Sequence, residues 1–455
     1  MDKVLTPEEV NIFPYEYIEK GSIYTFKPEV SREVTNYTHG MHNYPAKYIP
    51  QIPRWAFLYS DLKKGDVVLD PFNGSGTTSL EAKLQGFNSY ATEINPLGRL
   101  LAKVKTTPMH FLNELNIEIL ISSIKHIFLQ DDSYIKIDNS EEDINLHENW
   151  NFWFEEQNAI DLIRIKRIIR NLDTESVGFT IDNKELSDLK DFLIICYSSM
   201  VKKVSYFDER EIKVRKKKDK FDEGLPDTLD IFLKVVHKHL ESMIEFSNHV
   251  KGTNTVSEIV PRDATEIELN DNYVDLIVTS PPYLNAIDYP MAHKYNLFFL
   301  DLVNPDDYSN HCRDYVGVTE RVVTKSLYSQ KRLLGYKVVD DIIEDLYSTG
   351  DTTDRNRAYI IWQYFDNMLR FLQESYRVLK PGKNLIIVIG DNNIRKRYIP
   401  THEYIRELAT SNRVGFELDT YFYHQLRNIK LKVNRNKTGG KIKYEMIMIL
   451  KKPLN

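Results

Sequence analysis

From about residue 31 to 106 the chain alternates short apolar runs with amphipathic stretches, and this rhythm returns only after residue 250. Asp66-Val67-Val68-Leu69-Asp70 passes into Pro71-Phe72-Asn73-Gly74-Ser75-Gly76-Thr77-Thr78. That predicts a buried strand, a close glycine turn and a helix through Ser79-Leu80-Glu81-Ala82. Tyr90-Ala91-Thr92-Glu93 predicts a second strand ending in an acid. Between 107 and 250 the spacing is that of helices, at Phe111 to Leu129, Trp153 to Leu172, Glu185 to Lys202 and Thr228 to Val250, with acidic loops between them. Strand-like runs resume at Ile259 and at Val274-Asp275-Leu276-Ile277-Val278. A helix near Tyr364 to Leu379 leads through Lys380-Pro381-Gly382-Lys383 into Asn384 to Ile389, a buried strand ending at Gly390-Asp391. Tyr421 to Lys432 and Lys441 to Lys452 read as a closing hairpin around Asn-Lys-Thr-Gly-Gly.

This order predicts an α/β fold: a doubly wound sheet with a terminal antiparallel hairpin, interrupted by a mainly helical insertion. The expected segments are an N-terminal extension (1–30), the first half of the sheet (31–106), the insertion (107–250) and the second half (251–455), the last with an extra segment at 302–358; both extras are candidates for reading the target sequence, the insertion first, with a helical support packed on the sheet as its alternative.

Composition narrows the class only slightly. With 455 residues, 42% of them hydrophobic, the chain can bury a large core. Its two cysteines, Cys196 and Cys312, have no metal-like spacing, so neither a zinc site nor a disulfide framework is expected, and no metal is assigned. No run is long enough to span a membrane and the N-terminus is unlike a signal peptide, so a cytoplasmic location is expected. The formal net charge of -6 hides basic clusters at Arg164 to Arg170, at Lys213 to Lys220 and at Arg427 to Lys443. Local clusters set phosphate affinity. Arg215, Lys216, Lys217, Arg435 and Lys437 are the candidate phosphate contacts, and thus the DNA-binding candidates should the motifs below point to DNA.

The candidate chemistry lies in Thr279-Ser280-Pro281-Pro282-Tyr283, at the end of a predicted strand. A hydroxyl, two rigid prolines and an aromatic can hold a flat, amine-bearing ring by its edge and its face, as a nucleobase amino group requires. Upstream, Gly74-Ser75-Gly76 lacks the third glycine of the dinucleotide fingerprint, since Ser79 stands there, which disfavours a nicotinamide cofactor. Glu93 occupies the place where doubly wound folds hold a ribose diol, and it also suits a helix N-cap before Asn95-Pro96.

Together these residues resemble the S-adenosylmethionine-dependent amino-methyltransferases of DNA, which have a Rossmann-like sheet. The resemblance implies that Asp70, Pro71, Phe72, Gly74, Ser75, Gly76 and Thr77 bind the methionine part of the cofactor, and that Glu93 binds its ribose. It implies that Asp263 and Ala264 bind the adenine and that Lys47, in His42-Asn43-Tyr44-Pro45-Ala46-Lys47, closes over the carboxylate. Ser280, Pro281, Pro282 and Tyr283 match the tetrapeptide that holds the target base. Asn285 and Asp288 are either ring-edge contacts or turn residues.

The mechanism expected from this resemblance is methyl transfer to an exocyclic amine. Ser280 Oγ and the Pro281 carbonyl accept its N–H groups, Tyr283 stacks on the ring, and the base is turned out of the duplex. In the family a serine in first position is associated mostly with cytosine N4 and aspartate or asparagine with adenine N6. Ser280 therefore points to N4-methylcytosine, and the resemblance implies double-stranded DNA as the substrate, within a restriction-modification system whose endonuclease acts on the same site. An adenine N6 enzyme, an RNA base methyltransferase and a non-catalytic DNA-binding module stand as alternatives.

Overall fold

The computed structural model describes residues 17–26, 34–45, 47–131, 135, 150–209, 211, 215–217, 219–284, 288–317, 323–426 and 444–454. Asn285, Arg435 and Lys437, and the turn of the terminal hairpin, lie outside the described residues.

Eight strands form one sheet: β1 (Ile23–Tyr24), β2 (Val67–Asp70), β3 (Asn88–Ala91), β4 (Ser257–Ile259), β5 (Val274–Thr279), β6 (Leu379–Ile389), β9 (Glu417–Gln425) and β10 (Tyr444–Lys451). A separate small ribbon consists of β7 (Asn392–Ile394) and β8 (Arg397–Ile399). The order across the sheet is β1-β9-β10-β6-β5-β2-β3-β4. All pairings are parallel except those of β10, which runs antiparallel to both β6 and β9. This is the expected doubly wound sheet with its terminal antiparallel hairpin.

Both faces of the sheet are covered at its centre, so β2, β5 and the second half of β6 are largely apolar, and successive residues alternate between the two faces with the pleat. Val68, Leu276, Val278, Ile386, Val388, Ile447 and Ile449 pack with α1 (Gln51–Tyr59) through Ile52, Trp55 and Phe57. Val67, Leu69, Ile277, Leu385, Ile387, Met446 and Met448 face the other way. They meet α10 (Thr352–Val378) and α11 (Thr401–Ala409), against which α9 (Lys337–Ser348) packs.

After β2 and β3 come α2 (Thr77–Gln85) and α3 (Pro96–Thr106). Between β3 and β4 the chain also holds α4 (Glu114–Gln130), α5 (Glu156–Asn171), α6 (Asn183–Met200) and α7 (Thr228–His249). Their third core also takes in Leu97 and Leu101 of α3, and Leu297 and Phe299 of α8 (Tyr289–Phe299). Capping fixes their starts: Asp182 and Glu185 form a capping box on α6, and Asp227 accepts from Asp230 N on α7.

The basic run at Arg164 to Arg170 lies on α5 and is directed partly inward. Lys166 is 2% exposed and lies 2.5 Å from Asp301, which Arg170 also meets. None of the helices among the described residues is long and apolar enough to cross a membrane.

Candidate functional site

The strand order reverses between β2 and β5, and at such a switch point the carboxyl ends of the strands diverge and leave a crevice. There the chain forms a cleft of about 820 Å³, counting its solvent-open mouth. Its walls come from segments far apart in sequence. Pro71, Phe72, Gly74, Ser75 and Thr77 line it from the glycine turn, Glu93 from the end of β3, and Asp263 and Ala264 from the loop after β4. Ser280 and Pro282 line it from the end of β5, and Lys47 from the segment before α1.

Two close approaches shape the glycine turn, one at Gly76 and one at Gly98 of α3 packed against it. Gly76 has φ +81, and a Cβ there would lie 2.9 Å from Ala102 of α3. A Cβ on Gly98, in the first turn of α3, would lie 2.8 Å from Gly74 O and 2.9 Å from Glu93 Cγ. The Gly98 contact carries no sequence motif, and the sequence reading missed it.

Asp70 stands behind the cleft rather than in its wall and is 1% exposed. Its carboxylate accepts from Thr279 Oγ1 and Thr78 Oγ1, both at 2.6 Å, from Tyr48 OH at 3.0 Å and from Phe72 N at 3.1 Å. It thus ties β5, the start of α2 and the segment before α1 to β2. Burial raises its pKa against these hydrogen bonds.

Glu93 is 8% exposed. It accepts from Gly74 N at 2.6 Å and from Asn95 N at 2.8 Å. Burial pushes its carboxyl up to about 7, against the pull of those two backbone groups. Asp263 Oδ1 accepts from Thr265 N and Thr265 Oγ1, both at 2.7 Å. Lys47 donates to His39 O at 3.0 Å, and burial lowers its pKa to about 8. His39 is anchored in turn, 2.7 Å from Glu81, which Arg54 also grips at 2.6 Å.

In the tetrapeptide, Tyr283 donates to Glu445 of β10 at 2.6 Å, so its ring is tethered to the terminal hairpin. Ser280 and Pro282 face the cleft, whereas Pro281 and Tyr283 do not contribute to its wall. Asp288 caps α8 by accepting from Met291 N at 3.1 Å, as a turn residue does.

The residues with which the wall is completed were only partly legible. Tyr44 lies in a segment already singled out and Tyr289 directly follows Asp288, Asp314 and Tyr315 fall in the extra segment at 302–358, and Tyr48 carried no signal. Tyr44 stacks on His293 with centroids 4.5 Å apart, and Tyr315 OH lies 3.0 Å from His311 Nε2.

Arg215, Lys216 and Lys217 lie far along the chain from the cleft-lining segments. Backbone bonds of 2.8 and 2.9 Å pin them to Tyr206–Asp208. Lys216 sits 3.5 Å over the Phe152 ring, and Arg215 is 73% exposed.

Two observations fit a sulfonium amino acid nucleoside in the cleft. Ser75 Oγ and Thr77 Oγ1 are buried there without a partner among the described residues, as hydroxyls reserved for a polar ligand would be. The acids Glu93 and Asp263 and the cation Lys47 supply the complementary charges.

The chain is similar to several known proteins. A type II methyltransferase of Kocuria varians, M.MvaI, is 26% identical over 448 residues, covering 92% of each chain. M.BsoBI of Geobacillus stearothermophilus, also named a type II methyltransferase, is 23% identical and covers 86% of this chain and 82% of that one. A Thermus thermophilus protein solved in complex with S-adenosyl-L-methionine is 20% identical, over 42% of this chain and 53% of that one, with a TM-score of 0.21. The profile of the N6/N4 DNA methylases matches residues 23–99 and 274–454, more than half of the sequence, and the chain belongs to that DNA methylase family.

Proposed function

We propose that this S-adenosyl-L-methionine-dependent DNA methyltransferase modifies the N4 amine of cytosine at a specific site in double-stranded DNA, as the cytoplasmic partner of a restriction endonuclease acting on that site. The observation that carries the reading is that Ser280 and Pro282 face the same cleft as the glycine turn and Glu93. Base-holding and cofactor-holding groups thereby share one space. The serine in first position supports cytosine, and the names of the Kocuria and Geobacillus relatives support a type II system.

Glu93 would hold the ribose diol, Asp263 the adenine amine, and Lys47 with the Ser75 and Thr77 hydroxyls the methionine end. When bound, the cofactor supplies an activated methyl group on a sulfonium. An exocyclic amine is a poor nucleophile because its lone pair is delocalised into the ring. Ser280 Oγ and the Pro281 carbonyl accept its two N–H groups and so localise that pair. Tyr283, held through its hydroxyl by Glu445, presents a ring for the everted base to stack on. Arg215, Lys216 and Lys217, with Arg435 and Lys437, contact phosphates.

The test is expression in a host without DNA methylation, followed by digestion of its DNA to nucleosides and mass spectrometry. N4-methylcytosine is the expected product. N6-methyladenine would overturn the base assignment alone, and unmodified DNA alongside methylated RNA would overturn the DNA substrate.

A further inference from the structure

The ribbon of β7 and β8 emerges beside the catalytic tetrapeptide. Thr279 of β5 pairs with Ile387 of β6. The tetrapeptide thus leaves the end of β5 about level with the carboxyl end of β6, which stops at Ile389, and the ribbon begins three residues further on at Asn392. Adjacent strands lie about 4.8 Å apart, so the ribbon rises from the edge of the sheet at which the target base must enter.

Its turn is unusual. Asn392, Asn393 and Ile394 pair with Ile399, Tyr398 and Arg397, which leaves Arg395 and Lys396 as a two-residue loop. Both have positive φ, +52 and +66. That is type I′ geometry, for which Asn-Gly is the favoured sequence. Two long cationic side chains are a poor choice on backbone grounds, and strain retained at an exposed tip points to a task for the side chains.

The cations of the ribbon are divided between two roles. Arg395 donates to the buried Asp354 at 2.6 Å, and Arg397 is paired with Asp345. These pairs root the ribbon on α9 and α10. At its base Tyr398 OH donates to Asp391, which also meets His402. Lys396 is exposed and has no partner among the described residues. Rooting the ribbon with arginines while leaving the tip lysine free presents a point charge at a fixed place.

We propose that this ribbon is a DNA-backbone contact, with Lys396 meeting a phosphate next to the everted base. The inference rests on the reading that the enzyme acts on duplex DNA. A fixed cation beside the tetrapeptide would hold the distorted strand while the base occupies the cleft, and it carries no sequence information.

The variant Lys396→Gly separates this role from a structural one, because glycine suits the positive φ while the whole cationic side chain is removed. Thermal unfolding should be unchanged or shifted upwards, and S-adenosyl-L-methionine binding by calorimetry should be unchanged. Affinity for duplex DNA should fall about three- to tenfold at low salt. The slope of log affinity against log salt concentration should shrink by about 1. Lys396→Arg should restore both DNA readouts. An unchanged slope and affinity in Lys396→Gly would overturn the proposal while leaving the DNA reading intact. If the parent protein shows no salt-dependent duplex binding, the DNA reading falls and the proposal with it.

Discussion

Burial and charge oppose each other at Glu93. Its carboxyl is almost enclosed, yet it receives two backbone N–H groups, and desolvation wins, lifting its pKa from the ordinary 4.5 to about 7. The unfolded chain therefore ionises first as pH rises, and between about 4.5 and about 7 it holds fewer protons than the folded chain. Stability must then fall as pH rises across that window and level off above it. Glu93→Gln lacks the titrating group, so the cofactor-free parent should lose stability relative to this variant between about pH 5 and about pH 7.5. Denaturant midpoints of both proteins at several pH values measure the difference. A difference that does not vary with pH would show that the carboxyl titrates in its ordinary range. The place of Glu93 at a strand end was legible in the sequence. The engagement of Asp70 was not, because a motif shows that an acid is present but not that Tyr48, Thr78, Thr279 and Phe72 already occupy its oxygens.

Among the elements, long periodic helices were the most legible, and α4 to α7 lie within a few residues of where periodicity puts them. Helix α10 begins at Thr352 rather than near Tyr364, with Asp351 capping it by accepting from Thr353 N and Asp354 N. The cap was overlooked because the stretch had been set aside as an extra segment. β1, two residues long and paired only with β9, carries too little pattern to be seen. The ribbon of β7 and β8 was hidden by a turn that lacks glycine or asparagine. The basic run on α5 shows the converse error, since charge alone suggested a surface patch while Lys166 faces inward towards Asp301. Asp301→Ala takes away a carboxylate shared with Arg170. The cost should be on the order of 2 kcal/mol, below that of a fully buried pair because Asp301 is partly exposed. Thermal unfolding should register it, while the salt slope of DNA binding stays at the parent value. A reduced slope would return α5 to the DNA surface.

For the molecule as a whole, the question is whether the helices between β3 and β4 form a separable body. Their core is continuous with Met41, Tyr44, Leu97 and Leu101, residues of the cleft-bearing half. Polar links cross the same boundary: Asn296 Nδ2 donates to Ser198 O at 2.9 Å, and Tyr37 OH lies 3.1 Å from His249. Tyr44, which belongs to this core, also lines the cleft. Cofactor binding at the switch point should therefore stabilise helices that never touch the ligand. At free S-adenosyl-L-methionine about 100 times its Kd, the linkage is about 2.7 kcal/mol for any amide that exchanges only through opening of the whole binding unit. Hydrogen exchange can compare Ile277 of β5 with Ile195 of α6, both fully buried. Both should gain protection by about the same amount, because opening α6 exposes the core that positions Tyr44. Protection confined to Ile277 would show that the helices open on their own, without disturbing the cofactor cleft.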